Sequence, residues 1–417
     1  MSGRARQTTS TFASLSSSNF RKYFIGQAAS IFGTWTQIIA MAWLVLEITG
    51  SGTDVGLVTG VQFVPVLFFS GISGVIVDRM DNRKVVLGTQ ALLTVQATVL
   101  AIIVIAGWAT VPVLCVLAFV QGIGNTFDPP SRQAFLSELV PVETLSNAVS
   151  LNAAVFQIGR ILGPAVAGFV IKAFNVETCF VINALSYVVM IGVVLSMDRS
   201  QMTPRRRSAH AKGQFVAGLK YIWRTPSIRA LMLMALFIGT FASQSNVVTP
   251  LFAKGIFDGD SGTLGLLSSA QGAGALVGAL ILASIGEPTN RRIFVASVGF
   301  TISLLLSAAV PNLRSAVVVM ALLGCWNLLT NVSLNTANQV SSAPEMRGRV
   351  VSMYFMMSQG SNVVGGPVIG AVCEHWNARA GFVVGAVAAA IGAVAWLSRI
   401  VGNFRTPIRL TVAENIA

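Results

Sequence analysis

Charge is the scarcest resource in this sequence. Only 10% of its 417 residues are Asp, Glu, Lys or Arg, against 54% hydrophobic residues. A water-soluble domain cannot hide that much apolar surface, because soluble folds carry charge on about a quarter of their residues. Histidine is nearly absent: His210 and His375 are the only two, which argues against a metal centre. The four cysteines, Cys115, Cys179, Cys325 and Cys373, fall within apolar stretches and form no CxxC pair. They are read as packing residues rather than a disulfide framework. There is no GxxxxGK[ST] loop, hence no nucleotide-driven motor. Paired deep aspartates and a nucleophile with a histidine base are also missing, so the pattern does not suggest an enzyme. No cofactor is expected.

What the chain has instead is long apolar runs. They lie at about 23–46, 55–77, 85–107, 111–128, 147–173, 176–197, 230–256, 263–286, 293–310, 315–336, 350–373 and 380–402. A helix crosses the hydrocarbon layer with roughly 20 apolar residues. Lipid offers no partner for backbone polar groups, so only helices or closed barrels can span it. The runs are too long and too uniformly apolar for barrel strands. The fold class expected is therefore an all-α membrane protein with twelve transmembrane helices.

The few charges are distributed unevenly. Arg4, Arg6, Arg21 and Lys22 precede the first run, and Arg79, Arg83 and Lys84 follow the second. Arg132 is placed in the fourth loop, and Arg199, Arg205, Arg206, Arg207, Lys212, Lys220, Arg224 and Arg229 fill the segment between the sixth and seventh runs. Arg291, Arg292, Arg347, Arg349, Arg399, Arg405 and Arg409 continue the pattern, whereas alternate loops hold only Lys172, Lys254, Arg314 and Arg379. Positive charge accumulates on the cytoplasmic side of short loops, so both termini and the central linker are expected in the cytoplasm. The net charge of +13 is read as topological rather than as a nucleic-acid surface, since no basic stretch interleaves aromatics. The N-terminus is polar and leads into a full-length span, unlike a cleavable signal.

The halves look like copies. Gly163-Pro164 in the fifth run returns as Gly366-Pro367 in the eleventh, 203 residues later, and Pro141 returns as Pro344. Gln121 and Asn125 are matched by Asn327 and Asn331, 206 residues later, and Phe24-Ile25-Gly26 recurs as Phe237-Ile238-Gly239. Such duplication favours two six-helix bundles around a pseudo-twofold axis. The organisation expected is an arm at 1–22, a first bundle at 23–198, a linker at 199–229, a second bundle at 230–403 and a tail at 404–417. Segment 212–224 is read as an amphipathic helix on the inner membrane surface.

Local motifs sharpen this. The loop after the second run reads Gly71-Ile-Ser-Gly74-Val-Ile-Val-Asp78-Arg79-Met-Asp81-Asn82-Arg83-Lys84, and the fifth run contains Gly159-Arg160-Ile-Leu-Gly163-Pro164-Ala-Val-Ala-Gly168. The first resembles the loop signature of the major facilitator superfamily, Gly-x-x-x-Asp-Arg-x-Gly-Arg-Lys, and the second is similar to its antiporter motif. Asn19-Phe20-Arg21 through Thr49-Gly50-Ser51, and Phe127-Asp128-Pro129-Pro130-Ser131-Arg132-Gln133-Ala134, resemble the enterobactin and macrolide exporter branch. The resemblance implies the major facilitator fold and transport. It implies a gating role for Gly74, Asp78, Arg79, Arg83 and Lys84, with Asp128 within reach of Arg79 or Arg83. The family glycine is Asp81 here and the next basic position is Asn82, so a charge relay through position 82 does not carry over. Gly159, Gly163, Gly168 and Pro164 are implied to form a tight seam; ordinary small-residue packing explains the same residues.

Arg160 is read as the basic residue well inside a span. A central charge costs about 2.5–3.5 kcal/mol on insertion scales and turns to the bundle interior. It either attracts a polar or anionic substrate group, or bonds structurally to carbonyls. No acid is placed at mid-membrane, since Glu47, Asp78, Asp128 and Glu374 are assigned to span ends. That favours neutral or anionic amphiphiles over strong cations, and leaves Asp78, Asp128 and Glu47 as proton carriers to choose between.

Polar stripes recur at helical spacing on the first, fourth, seventh and tenth runs, which surround the central pathway in the family. Gln37, Gln62, Gln121, Asn125, Arg160, Gln244, Asn327 and Asn331 are the cavity residues expected, with interhelical hydrogen bonding as the alternative for any one of them. The function expected is a secondary active exporter driven by protons, and the resemblance to the exporter branch implies a multi-pass protein of a bacterial inner membrane. It would act as a monomer on a small molecule such as a siderophore or macrolide-like drug. Uptake by symport, lipid movement and a non-transporting scaffold or sensor are the alternatives.

Overall fold

The structure is a computed structural model that describes residues 12–202, 214–285 and 289–400; the side chain of Asp78 lies outside the described residues. So do most of the N-terminal arm, the tail, and linker residues 203–213. The described chain is helical and contains no β-strand element. The first half comprises α1 (Ser18–Thr49), α2 (Gly52–Arg79), α3 (Asn82–Ile105), α4 (Val111–Leu139), α5 (Val142–Ala173) and α6 (Val176–Leu195). After α7 (Gln214–Arg224), the second half comprises α8 (Pro226–Phe237), α9 (Ser245–Phe257), α10 (Ser261–Ile285), α11 (Asn290–Ala309), α12 (Leu313–Val340), α13 (Arg347–Gly360), α14 (Asn362–His375) and α15 (Ala378–Ile400).

Local sequence sets the helix ends. Ser17, Ser51, Asp81, Asn175, Thr289 and Asn312 each accept a hydrogen bond from a backbone amide of the helix that follows, meeting donors that a first turn leaves unpaired. Asp81, which replaces the family glycine, has this work: it caps α3 through the Lys84 amide at 3.3 Å. Gly50 ends α1 in the left-handed conformation, with φ 65°, the backbone region that glycine adopts without strain.

Eleven helices among the described residues are long and apolar enough to cross a membrane, rather than the twelve expected. The difference lies at the eleventh run. It is split at Ser361 into α13 and α14, each of 14 residues, and neither alone reaches the thickness of the hydrocarbon layer. The seventh run is interrupted too, by a π-helical turn at Ile238–Ala242 between α8 and α9. The two interruptions satisfy each other. Gln244 Nε2 donates to the freed carbonyls of Gly239 at 2.7 Å and Thr240 at 3.0 Å, and to Asn362 Oδ1 at 2.7 Å across the break in the eleventh run.

The fourth run is longer than its sequence suggests. The apolar run reads as about 111–128, yet α4 continues through Pro129 and Pro130 to Leu139. Prolines remove amide donors, here those that would serve the carbonyls of Asn125 and Thr126, and the helix persists through both.

Packing repeats between the halves. In the first, α2 packs on α4, α3 on α6, and α1 on α5 and α6; in the second, α10 packs on α12, α11 on α15, and the α8–α9 span on α14 and α15. The halves meet along α2 with α13–α14 and along α5 with α10, pairs that a twofold axis would exchange. Small residues make both seams possible. Gly52 and Gly56 of α2 lie against backbone of Gly370 and Gly366, and Gly168 lies against Gly265.

A Cβ at Gly56 would run into the Gly366 carbonyl, whereas one at Gly192 in α6 meets nothing within 4 Å. Gly56→Val is expected to lower stability by about 1–3 kcal/mol through overpacking. Gly192→Ala is expected to hold or raise it by up to about 1 kcal/mol. Thermal unfolding of the purified protein in one detergent compares the two, and an equal response would contradict the seam.

Candidate functional site

Three polar systems organise the molecule, two in its interior and one exposed at one end. The first lies inside the N-terminal bundle. Arg132, placed in a loop by the sequence, is 6% exposed and sits between α1 and α4. Its Nε pairs with Asp128 Oδ2 at 2.6 Å, one helical turn earlier. Its remaining nitrogens donate to Gln27 Oε1 and to Ser30 Oγ, the latter at 2.9 Å. Asp128 Oδ1 accepts from Gln90 Nε2 at 2.7 Å and Thr89 Oγ1 at 3.2 Å on α3. A buried charge pair holds only if hydrogen bonds satisfy its other atoms, and α1 and α3 supply them.

This corrects two expectations. Asp128 is not at the end of its helix, and neither Arg79 nor Arg83 partners it. It lies eleven residues before the end of α4 at Leu139, about 16 Å along the helix. Arg83 is turned elsewhere: it is 7% exposed and donates to the Val194 and Leu195 carbonyls at 2.8 and 3.1 Å, closing the end of α6. Asn82 Nδ2 bonds Glu138 Oε1 at 2.6 Å, tying α3 to the end of α4. Arg79 and Lys84 are exposed, Gly74 has open space around it, and the Asp78 side chain lies outside the described residues. Arg160 is thus not the sole basic residue within a span.

Farther along the same bundle, Gln37 is fully buried. It donates to Gln96 Oε1 at 3.1 Å and accepts from Asn183 Nδ2 at 2.7 Å. Gln121 is 2% exposed.

The second system is a cavity of about 490 Å³ between the halves. Its walls come from α1 (Trp35, Ile39), α5 (Gln157, Arg160, Pro164), the interrupted seventh run, α10, α12 and α13. Arg160 is the one charged side chain in that wall. Facing it across the cavity are amides: Asn246, Gln271, Asn327, Asn331, Asn335 and Gln359. Asn331 Nδ2 bonds Asn327 Oδ1 at 2.5 Å, and Tyr354 Oη donates to the Asn331 carbonyl at 2.8 Å, fixing this edge of α12. Gln271 Nε2 bonds Ser245 Oγ at 2.7 Å. Arg160 forms neither of the two ion pairs found among the described residues.

The structure thus brings Arg160, Asn327 and Asn331 together around the cavity. Gln37 and Gln244 lie outside its wall, held in the buried contacts described, and Gln62, Gln121 and Asn125 lie outside it as well. Gln157, Asn246, Gln271, Gln359 and Tyr354 line it without having been singled out. Polarity within the runs was their available signal, and it was shared by many residues that pack elsewhere. The glycines of α5 make its two contacts close: Gly159 and Gly163 lie against Ile31 and Trp35 of α1, and Gly168 against α10.

The third system clamps the halves at the end remote from the linker. Glu374 of α14 accepts from Ser51 Oγ and the Thr53 amide, both at 2.8 Å, capping α2 from the other half. Lys172 at the end of α5 pairs with Asp260 before α10 at 2.7 Å. That bond and the Thr263 amide hold the Asp260 carboxyl below its usual range. Lys254 of α9 lies 5.9 Å from the Trp43 ring centroid of α1.

Two like-packed helical bundles enclosing a central polar cavity define a multi-pass membrane transporter. Residues 9–406 match the Transmembrane secretion effector family, and the chain belongs to it, within the major facilitator superfamily. Its members are transporters rather than enzymes. The chain is 28% identical to the multidrug efflux pump Tap of Mycolicibacterium fortuitum, over 82% of this chain and 87% of that one. It is 24% identical to macrolide efflux protein A of Streptococcus pyogenes (80% and 84%) and 23% identical to a staphyloferrin A transporter of Staphylococcus aureus (81% and 86%). Among solved structures, the nucleoside transporter NupG shares the fold with a TM-score of 0.73 at 12% identity, over 91% of this chain and 98% of that one.

Removing one member of a buried ion pair costs about 3–5 kcal/mol, whereas neutralising both costs far less. Arg132→Gln is therefore expected to be strongly destabilised and Arg132→Gln with Asp128→Asn to recover most of the loss. Thermal unfolding of the single and double variants measures the recovery; its absence would mean that the pair is not the source of the effect.

Proposed function

We propose that this protein is a proton-driven antiporter that exports a neutral or anionic amphipathic small molecule. The observation that carries this reading is Arg160: a cation without a carboxylate partner, in a cavity whose wall contains amides, hydroxyls, Trp35 and Phe355 but no acid. A guanidinium in a partly dry site attracts an anionic or strongly polar group and repels a cation, while the aromatic and aliphatic wall accepts an apolar body. The volume suits a drug-sized molecule or part of a larger one. The efflux and transport activities named for Tap, macrolide efflux protein A and the staphyloferrin A transporter support export and this size of cargo.

In this reading the α13–α14 pair crosses the membrane as a twelfth, interrupted span, and both termini face the cytoplasm of a bacterial cell. The clamp formed by Glu374, Lys172 and Lys254 closes the outer end. The cavity extends to Asn335, five residues from the inner end of α12, which supports an inward-open state. Export then needs the outer clamp to open while the inner ends of the bundles close. Of the acids considered as proton carriers, Asp128 is set within the N-terminal bundle beside a cation, whereas Glu47 is exposed and bonds Trp43 at 2.6 Å. Asp128 is the carrier this reading assigns, and the protein acts as a monomer.

Everted vesicles containing the protein test the proposal with a catecholate siderophore, a macrolide and a permanently charged cation. Uptake that a protonophore abolishes is expected for the first two. Arg160→Gln is expected to cut uptake of the anionic compound about tenfold or more, as loss of one charge-assisted contact would, and to spare the macrolide comparatively. Protonophore-insensitive uptake would remove proton coupling. Vigorous transport of the permanent cation, unchanged by Arg160→Gln, would overturn the substrate class.

A further inference from the structure

Between Asp198 and Asp258 the chain contains no Asp or Glu. In the described part of that stretch, α7 and the start of α8 gather Lys220, Arg224 and Arg229 where the apolar run beginning at Pro226 starts. The two ion pairs among the described residues involve none of these three.

α7 has two faces with different work. Gly218 and Ile222 are buried and Tyr221 is half-buried. Gly218 packs against Arg349 and Met353 of α13, and the Tyr221 hydroxyl accepts from the Ala343 amide at 3.1 Å, just ahead of that helix. The other face leaves Leu219 43% and Trp223 65% exposed, one turn apart and therefore side by side. The Arg229 guanidinium lies 5.6 Å from the Trp223 ring centroid and donates to the Trp223 carbonyl at 3.3 Å, so charge and apolar surface are held together as one patch.

An apolar ridge flanked by uncompensated cations, at the entrance to a membrane-crossing helix, suits one environment. At the boundary between headgroups and acyl chains the ridge enters the apolar layer, while long basic side chains reach the phosphates. We infer that Lys220, Arg224 and Arg229, with the Leu219–Trp223 ridge, bind an anionic phospholipid headgroup. The Tyr221–Ala343 bond and the Gly218–Met353 contact then link that lipid to α13, whose Tyr354, Phe355, Ser358 and Gln359 line the cavity. The lipid thereby steadies one wall of the transport pathway. The inference goes beyond the proposed transport reaction and does not depend on its substrate or its coupling to protons.

The test uses the full-length protein in vesicles of phosphatidylcholine alone or with one-third phosphatidylglycerol. Brominated lipid of either kind is introduced at equal mole fraction, and quenching assigned to Trp223 is taken as the difference from Trp223→Phe. Brominated phosphatidylglycerol is expected to quench Trp223 with an apparent affinity on the order of tenfold above brominated phosphatidylcholine, a preference that three surface cations readily supply. Lys220→Gln with Arg224→Gln and Arg229→Gln is expected to abolish that preference. Thermal unfolding in detergent shows whether this variant remains folded. Single replacements, each expected to lower the preference in part, keep the test decisive if it does not.

Amide exchange of α13 is expected to slow when phosphatidylglycerol is present, and Tyr221→Phe to remove the slowing while keeping the lipid preference. Equal quenching by both lipids, a preference that survives all the replacements, or competition by millimolar inorganic phosphate would overturn the lipid site. Exchange of α13 indifferent to phosphatidylglycerol would overturn the link to the cavity wall.

Discussion

A polar group carried into hydrocarbon must be satisfied by the chain itself, since no water is there to do it. That constraint explains why the interior is organised as it is. Where α8 gives way to a π-helical turn, Gln244 takes up the freed carbonyls of Gly239 and Thr240 and reaches Asn362 at the break between α13 and α14. Two weaknesses in separate spans become one junction. Arg132 obeys the same rule. Its charge is admitted to the N-terminal bundle only with Asp128 beside it, and with Gln27, Ser30, Gln90 and Thr89 occupying the atoms that remain.

Arg160 stands out against that background. It has the same chemistry, but it faces a cavity instead of a carboxylate. The two arginines therefore divide the labour: Arg132 belongs to the structure of one bundle, and Arg160 to the space between bundles.

The seams between the halves show a second balance. Close approach of glycine backbones along α2 with α14 and α5 with α10 gives extensive dispersion contact with few directional bonds. Directional contacts are placed at one end instead, where Glu374 caps α2 and Lys172 meets Asp260. Bonds confined to one end of a seam are suited to being made and broken without unpacking the bundles themselves.

Much of this architecture was written in the sequence. The lengths of the apolar runs, the polar punctuation between them and the spacing of Gly163-Pro164 and Gly366-Pro367 gave helices, their number within one, and duplicated halves. Those features are local or periodic, and a membrane leaves a long apolar segment few alternatives. The partners of polar residues were not legible. Arg132 read as a loop cation because the apolar run ends at about residue 128, and only the continued helix with α1 and α3 around it turned it inward. Gln37, Gln244 and Asn331 carry the same kind of group within apolar runs, yet one is buried within a bundle, one mends a helix break and one lines the cavity. The sequence by itself determined which segments must enter the membrane, because burial of apolar residues depends on composition alone. Only the tertiary structure decided which polar groups pair and which remain open, because a hydrogen bond extends over about 3 Å and its partner is set by packing between helices distant in the chain.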